Sequence, residues 1–294
     1  DIKLAIPATE GQVQPASLDL RLGEKAYRIR ASFLPGPGVS VQHKLDAFSL
    51  HEIDLKEGAV LEVGCVYLVP LLEALSLPGD LSAACNPKSS TGRLDVFTRV
   101  IVDGAQAFDK IEAGYTGPLY AEICPQTFPV LVRTGSRLSQ IRFRTGPELP
   151  GQDLLAEVAG AVVSLSVDLA GDPETGFVGY RAKRHTGLVD VDAPGSCSVL
   201  DYWDPIHARG EARLILDPDE FYILASKEAV SVPPAHAAEM IPFNPLVGEF
   251  RVHYAGFFDP GFGYSGAGGA GARAVLAARS RSVRVDLACA PSIV

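Results

Sequence analysis

Two stretches of this chain repeat one another. Val66-Tyr67-Leu68-Val69-Pro70-Leu71-Leu72-Glu73-Ala74-Leu75-Ser76-Leu77-Pro78 aligns without a gap on Phe221-Tyr222-Ile223-Leu224-Ala225-Ser226-Lys227-Glu228-Ala229-Val230-Ser231-Val232-Pro233, 155 residues further on. Tyr, Glu, Ala, Ser and Pro are identical, and most other positions stay apolar. Ser17-Leu18-Asp19-Leu20 is matched by Ser166-Val167-Asp168-Leu169, and Asn86-Pro87 by Asn244-Pro245, in the same order. Motifs repeated in the same order, at offsets of similar size, imply two copies of one folding unit. The boundary falls near Gly146 to Gln152, where Gly, Pro and Glu crowd together, so residues 1–150 make the first copy and 151–294 the second.

Within a copy the pattern is that of short strands. His51 to Leu55, Ala59 to Val63 and Val66 to Pro70 alternate in polarity between turn signals such as Glu57-Gly58. Thr127 to Val132 and Arg137 to Phe143 add two more around Thr134-Gly135, while Ser32 to Val39, rich in Pro and Gly, reads as a loop. Few segments sustain a 3.6-residue period. The expectation is an all-β fold, an antiparallel sandwich or distorted barrel, in two tandem copies.

Charge narrows the function. A net charge of −9 and a pI near 5.2 argue against a general nucleic-acid or membrane-surface binder, which needs a basic footprint. A nucleotide would have to sit in a local basic pocket. No apolar run is long enough to span a bilayer, and the expected address is cytoplasmic. The five cysteines contain no C-x-x-C pair and read as reduced, mostly buried thiols. The six histidines form no H-x-E or H-E-x-x-H pattern, and no P-C-x-x-C follows, so the zinc cage of the nucleobase deaminases is absent from the sequence.

The segment from Asn86 to Ile123 concentrates the chemistry. Lys88-Ser89-Ser90-Thr91-Gly92-Arg93 sets two cations and three hydroxyls around a glycine, a composition suited to a polyphosphate and also common in solvated turns. Glu122, in Pro118-Leu119-Tyr120-Ala121-Glu122-Ile123, is a lone carboxylate among apolar residues and a candidate general acid/base. The second copy lacks both features. It has Asn244-Pro245-Leu246-Val247-Gly248-Glu249 for the loop and Val275-Leu276-Ala277-Ala278 for the acidic strand. It carries Phe258-Asp259-Pro260-Gly261-Phe262 where the first has Ile111-Glu112-Ala113-Gly114-Tyr115. The first copy is read as catalytic and the second as architectural.

Four motifs then carry a resemblance. Pro15 to Gly23 (PASLDLRLG), Pro87 to Leu94 (PKSSTGRL), Gly114-Tyr115-x-Gly117 leading to Glu122, and Gly135-Ser136-Arg137-Leu138-Ser139-Gln140-Ile141-x-Phe143 resemble the ordered motifs of the dCTP deaminases of the dUTPase-like superfamily, in a doubled form. The resemblance implies a β-clip fold, a homotrimer with active sites between subunits, and deamination of dCTP to dUTP and ammonia, with Mg2+ on the triphosphate and no zinc. It gives Glu122 the general acid/base role and Ser89 the orientation of the water. Lys88, Ser90 and Arg93 would neutralise the triphosphate. Thr91 and Gly92 within the loop, and Tyr120 and Ala121 beside the acid, complete the candidate substrate contacts. Glu112 stands where the family has the aspartate that holds the deoxyribose; its extra methylene displaces the carboxylate by roughly an ångström, enough to matter for positioning. The rival readings are a dUTP or dCTP nucleotidohydrolase, a bifunctional deaminase–diphosphatase, and a non-catalytic nucleotide sensor. Tyr180 to His185 is basic and reads either as a segment that closes over a triphosphate or, as favoured, as the counterpart of the strand Ala26 to Arg30; Trp203 reads as packing, and Arg133, Arg137, Arg142 and Arg144 as solvated strand positions or subunit contacts.

Overall fold

The computed structural model describes residues 2–4, 7–146, 165–208, 212–240, 250–252, 256–264, 266, 270–280 and 284–287. The proposed boundary beyond Gly146, the segment from Asn244 to Glu249, Cys289 and His253 lie outside them. The chain divides into two compact units, one of 1–146 with 184–198, the other of 147–183 with 199–294.

In the first unit the chain runs through β1 (Ile2–Leu4), β2 (Leu18–Arg21), β3 (Lys25–Ile29), helix α1 (Val41–Phe48), β4 (Ser49–Asp54), β5 (Ala59–Leu61), β6 (Val66–Ser76) and β7 (Leu81–Pro87). A single helical turn α2 (Ser89–Arg93) follows, then β8 (Val96–Val102), β9 (Lys110–Ile111), β10 (Thr116–Pro125), β11 (Val130–Val132) and β12 (Arg137–Thr145). The main sheet has the order β4-β3-β6-β10-β8, with β1 also on β6; a second has β2-β12-β7-β9. The all-β expectation holds. It missed α1, which buries Val41 and Leu45 one turn apart and is capped by Ser40, whose hydroxyl accepts the His43 N–H at 3.2 Å.

The repeated motif is the centre of this unit. β6 pairs with both β3 and β10, and Leu68, Val69 and Leu75 are almost fully buried, each stabilising by roughly 1.5–3 kcal/mol. Its ladder with β10 is broken by a bulge: Leu71, Leu72 and Glu73 all stand against Leu119 alone. The bulge aims Glu73 at the second sheet. There its carboxylate accepts the Arg21 N–H at 2.8 Å, the Arg21 Nε at 2.7 Å and the Gln12 amide at 2.9 Å. Gly23, just beyond, has its N–H on the Pro70 carbonyl at 2.8 Å, and a Cβ there would lie 2.5 Å from that oxygen. This approach gives the Arg21-Leu22-Gly23 ending of the first motif a physical reason.

The second unit contains β13 (Phe177–Ala182), β15 (Trp203–His207), β16 (Leu214–Leu216), β17 (Phe221–Val230), β18 (Ala238–Glu239), β19 (Phe250–Val252), β20 (Phe257–Phe258), β21 (Ala272–Ser280) and β22 (Val285–Leu287); β14 (Val189–Asp190) belongs to the first. Its sheet β15-β13-β17-β21-β19 repeats the order of β4-β3-β6-β10-β8. Details repeat as well. The Tyr67 hydroxyl accepts the Glu62 N–H at 3.0 Å, and Tyr222 accepts that of Asp217 at 3.0 Å. In β17, Ser226, Lys227 and Glu228 bulge against Ala274. Tyr180 and Arg181 face Ile223 and Tyr222 as Tyr27 and Arg28 face Leu68 and Tyr67, so Tyr180 to Ala182 belong to a strand, while Lys183, Arg184 and His185 follow its end. Trp203 packs near Tyr180 and Phe221.

Three arginines depart from expectation, the first being Arg137, whose Nη1 lies 3.6 Å from the buried Asp19 carboxylate. Arg142 is buried and donates to Asn86 Oδ1 at 2.8 Å, so it is an internal tie. Arg133 grips Asp190 through both guanidinium nitrogens at 2.8 Å, fastening β14 beside β11. Since the Arg21 and Glu73 side chains are 3% and 0% exposed, Arg21→Met leaves a buried carboxylate without its cation and is expected to destabilise the protein by about 3–5 kcal/mol. Pairing it with Glu73→Leu should restore most of that loss, as read from urea unfolding curves.

Candidate active site

β10 is covered on both sides, and every residue from Leu119 to Pro125 is buried. Within that run Glu122 is the one carboxylate. It faces Leu68 across β6 and Arg99 across β8. The bulge decides this pairing, since an unbroken ladder would set Glu122 against Pro70. A buried charge needs a partner, and Arg99 supplies it: its Nη2 and Nε lie 2.5 and 3.2 Å from Glu122 Oε1. Arg99 is itself held by Ser32 Oγ at 3.0 Å and by the rings of Phe108 and Phe97, whose centroids lie 3.5 and 4.6 Å from its guanidinium carbon. Glu122 Oε2 is buried and has no hydrogen-bond partner. One oxygen is thus clamped, while the other is left to take or give a proton.

The phosphate-type loop is a turn of helix rather than an open turn. Lys88 sits at its start, with its N–H on the Leu138 carbonyl at 2.9 Å, and the Thr91 hydroxyl donates to the same carbonyl at 2.8 Å. Thr91 and Gly92 are buried, so they shape the loop, and the Thr91 side chain faces the protein. Lys88 Nζ is ion-paired with Asp19, a buried carboxylate of the first motif, so its charge is already committed inside the chain. Ser89, Ser90 and Arg93 are exposed. These three are the loop's outward-facing donors.

Other candidates divide in the same way. Tyr120 lies in one hydrophobic core and Ala121 in another, so their side chains pack inside the protein. Glu112 is exposed, 3.5 Å from Lys110, and its carbonyl accepts the Tyr115 N–H at 3.3 Å in a turn that needs Gly114 at φ 78°. The Asp259-Pro260-Gly261 turn matches it: Phe262 bonds back to Asp259 and accepts the Val232 N–H at 2.8 Å, as Tyr115 accepts that of Leu77. Among the described residues, no hydrogen bond or ion pair joins Ser89, Ser90, Arg93 or Glu112 to Glu122; β8 connects the loop to the acid through the backbone. No three His, Cys, Asp or Glu side chains among the described residues converge on a metal position.

Sequence reasoning missed Arg99 and Asp109. A charged residue inside Val96-Phe97-Thr98-Arg99-Val100-Ile101-Val102 was the available signal for Arg99. Asp109 accepts the Val100 N–H on Oδ1 at 2.7 Å, and burial raises its carboxyl to about 7, opposed by that N–H and by Arg99 and reinforced by Glu122. In the second copy Ala277 occupies the place of Glu122, facing Ile223 as Glu122 faces Leu68. Its sheet forms without an acid.

Comparison with known proteins gives this geometry a family. Residues 1–147 match the family model of the 2'-deoxycytidine 5'-triphosphate deaminase (DCD) N-terminal domain, and residues 147–288 match that of the C-terminal domain. The crystal structure of 2'-deoxycytidine 5'-triphosphate deaminase from Agrobacterium tumefaciens superposes with a TM-score of 0.93 at 60% identity, covering 99% of this chain and 92% of that one. Curated relatives align with about half of the chain. The "dCTP deaminase, dUMP-forming" of Beutenbergia cavernae is 29% identical over 47% of this chain and 68% of its own, and the "dCTP deaminase" of Halorubrum lacusprofundi is 30% identical over 45% of this chain and 63% of its own. With both of its halves matched in order, the chain belongs to the dCTP deaminase family and is an enzyme acting on dCTP.

Proposed function

We propose that the first copy hydrolyses dCTP to dUTP and ammonia with Glu122 as general acid/base and with no zinc. The observation that carries this reading is the state of the Glu122 carboxylate, buried, with Oε1 held by Arg99 and Oε2 without a partner. Oε2 takes a proton from water, whose oxygen adds to C4 of the cytosine. The same proton then goes to N3, and the second water proton reaches the amino group as ammonia leaves, so that dCTP and water become dUTP and ammonia. Ser89 orients the water as a donor set in advance, and Ser90 and Arg93 bind the triphosphate, which brings its own Mg2+ as part of the substrate. Their exposure and uncommitted donors support this. Lys88, tied to Asp19, supports the loop and adds charge at longer range.

The finer setting is proposed on the same footing. The outward donors and the buried acid belong to separate parts of one chain, which favours a homotrimer with sites shared between subunits. A cytoplasmic address and a nucleotide partner, without nucleic acid or membrane, fit a net charge of −9 and the free thiols of Cys65, Cys85, Cys124 and Cys197. A second reading, in which dUTP is cleaved onward to dUMP, is favoured by relatives named dUMP-forming. Glu122→Gln keeps an oxygen for Arg99 but cannot shuttle the proton. It is expected to lower kcat by about 10²–10⁴-fold while dCTP binding by calorimetry persists. A Glu122→Gln protein within tenfold of wild-type turnover contradicts the assignment.

A further inference from the structure

Residues 184–198 form a strap on the first unit, although the segments on either side of them in sequence, 147–183 and 199–294, belong to the second. β14, within the strap, lies parallel to β11 at the edge of the sheet β14-β11-β5. The Val189 N–H donates to the Pro129 carbonyl at 3.0 Å, and the Val191 N–H to that of Leu131 at 3.3 Å. Val189 and Val191 pack on the core that holds Leu61, Val130 and Val132. Polar ties then reach the turn between β11 and β12. Both terminal nitrogens of the Arg133 guanidinium lie 2.8 Å from Asp190, Nη1 is also 3.5 Å from Asp192, and the Ser136 hydroxyl donates to Asp192 Oδ2 at 2.5 Å. The two acids are held as a pair, since the Asp192 N–H donates to Asp190 Oδ1 at 3.0 Å.

The same turn supports the loop that carries Ser89, Ser90 and Arg93. The Ser136 hydroxyl accepts the Arg133 N–H at 2.8 Å, and the Ser136 carbonyl accepts the Leu22 N–H at 2.9 Å, so the turn is fixed from within and against the first motif. Two residues further on, the Leu138 carbonyl accepts both the Lys88 N–H at 2.9 Å and the Thr91 hydroxyl at 2.8 Å, which seats α2 on β12. Arg137, between them, reaches the Asp19 carboxylate that pairs with Lys88. Resting on the reading of α2 as the triphosphate loop, we propose that Asp190 and Asp192 are positioning residues of the dCTP site: through Arg133 and Ser136 they set where β12 presents the Leu138 carbonyl, and with it where Ser89, Ser90 and Arg93 stand. Charged hydrogen bonds of this kind are strong and directional, and a shift of about an ångström in a binding loop is enough to matter. The strap acts on binding. Glu122 is carried by β10 and held by Arg99, so the chemical step is left as it is.

The test is kcat and KM for Mg–dCTP, with Tm alongside, in full-length wild type, Asp190→Ala, Asp192→Ala and Asp192→Asn. Alanine at 192 removes the acceptor of the Ser136 hydroxyl and is expected to raise KM on the order of tenfold with kcat within about twofold. Asparagine keeps an oxygen for that hydroxyl and should hold KM within about threefold of wild type. Adding Ser136→Ala closes a double-mutant cycle: if Asp192 acts through Ser136, Asp192→Ala adds little to KM once the hydroxyl is gone. A KM unchanged in both alanine variants overturns the proposal even where Tm falls, because a merely structural strap would do only that. Additive effects in the cycle, or a loss of kcat at unchanged KM, overturn it as well. Arg93→Ala separates this proposal from the reading beneath it. If Arg93→Ala leaves KM unmoved, the loop assignment fails and takes the proposal with it, whereas a raised KM there beside an unaltered Asp192→Ala removes the strap's role alone.

Discussion

The Glu73 carboxylate, turned out of β6 by a bulge and clasped by Arg21 and Gln12, ties the main sheet to the second one. With its side chain fully buried, this carboxylate has no water to replace a missing partner, so register, bulge and both sheets must agree before it is satisfied. The same bulge sets the partner of every later residue of β10, Glu122 included. The second copy keeps the bulge and the acid but has Ala170 where the first has Arg21. There Glu228 accepts the Ser166 N–H at 2.7 Å, and Arg273 pairs with Asp168 instead. The architecture survives a change of partners because the bulge, rather than the ion pair itself, is what the repeat preserves.

A carboxylic acid in the middle of a buried strand is costly, and the first copy offsets that cost only in part. Arg99, held between Phe97 and Phe108, satisfies one oxygen of Glu122, while the other has no partner. The equivalent strand of the second copy carries Ala277 there and pairs in the same register, so folding does not require the acid. An unsatisfied buried oxygen that the fold can do without is a mark of chemistry rather than of stability.

Much of this was legible in the sequence. The strands around Val66 and Arg137 and the duplication show because alternation and repeated motifs are local signals. Glu122 stood out as a lone carboxylate in an apolar run, and Asp259-Pro260-Gly261 was correctly matched to the Glu112 turn. Helix α1 was missed because its eight residues make barely two turns, too few for a period to emerge. The commitment of Lys88 to Asp19, 69 residues away, is a tertiary fact that no spacing announces. Tyr120 and Ala121 flank the acid in sequence, and the fold sends their side chains into two different hydrophobic cores, a division that adjacency along a strand does not announce. Arg99 went unread for the opposite reason: it meets Glu122 only once β8 has paired with β10.

The most direct test is the product balance of purified full-length protein incubated with Mg–dCTP, with nucleotides separated by chromatography and ammonia measured in parallel. The account predicts dUTP and ammonia in equal amounts, with no dependence on added zinc. Unchanged dCTP, or phosphate-chain cleavage without release of ammonia, would contradict it.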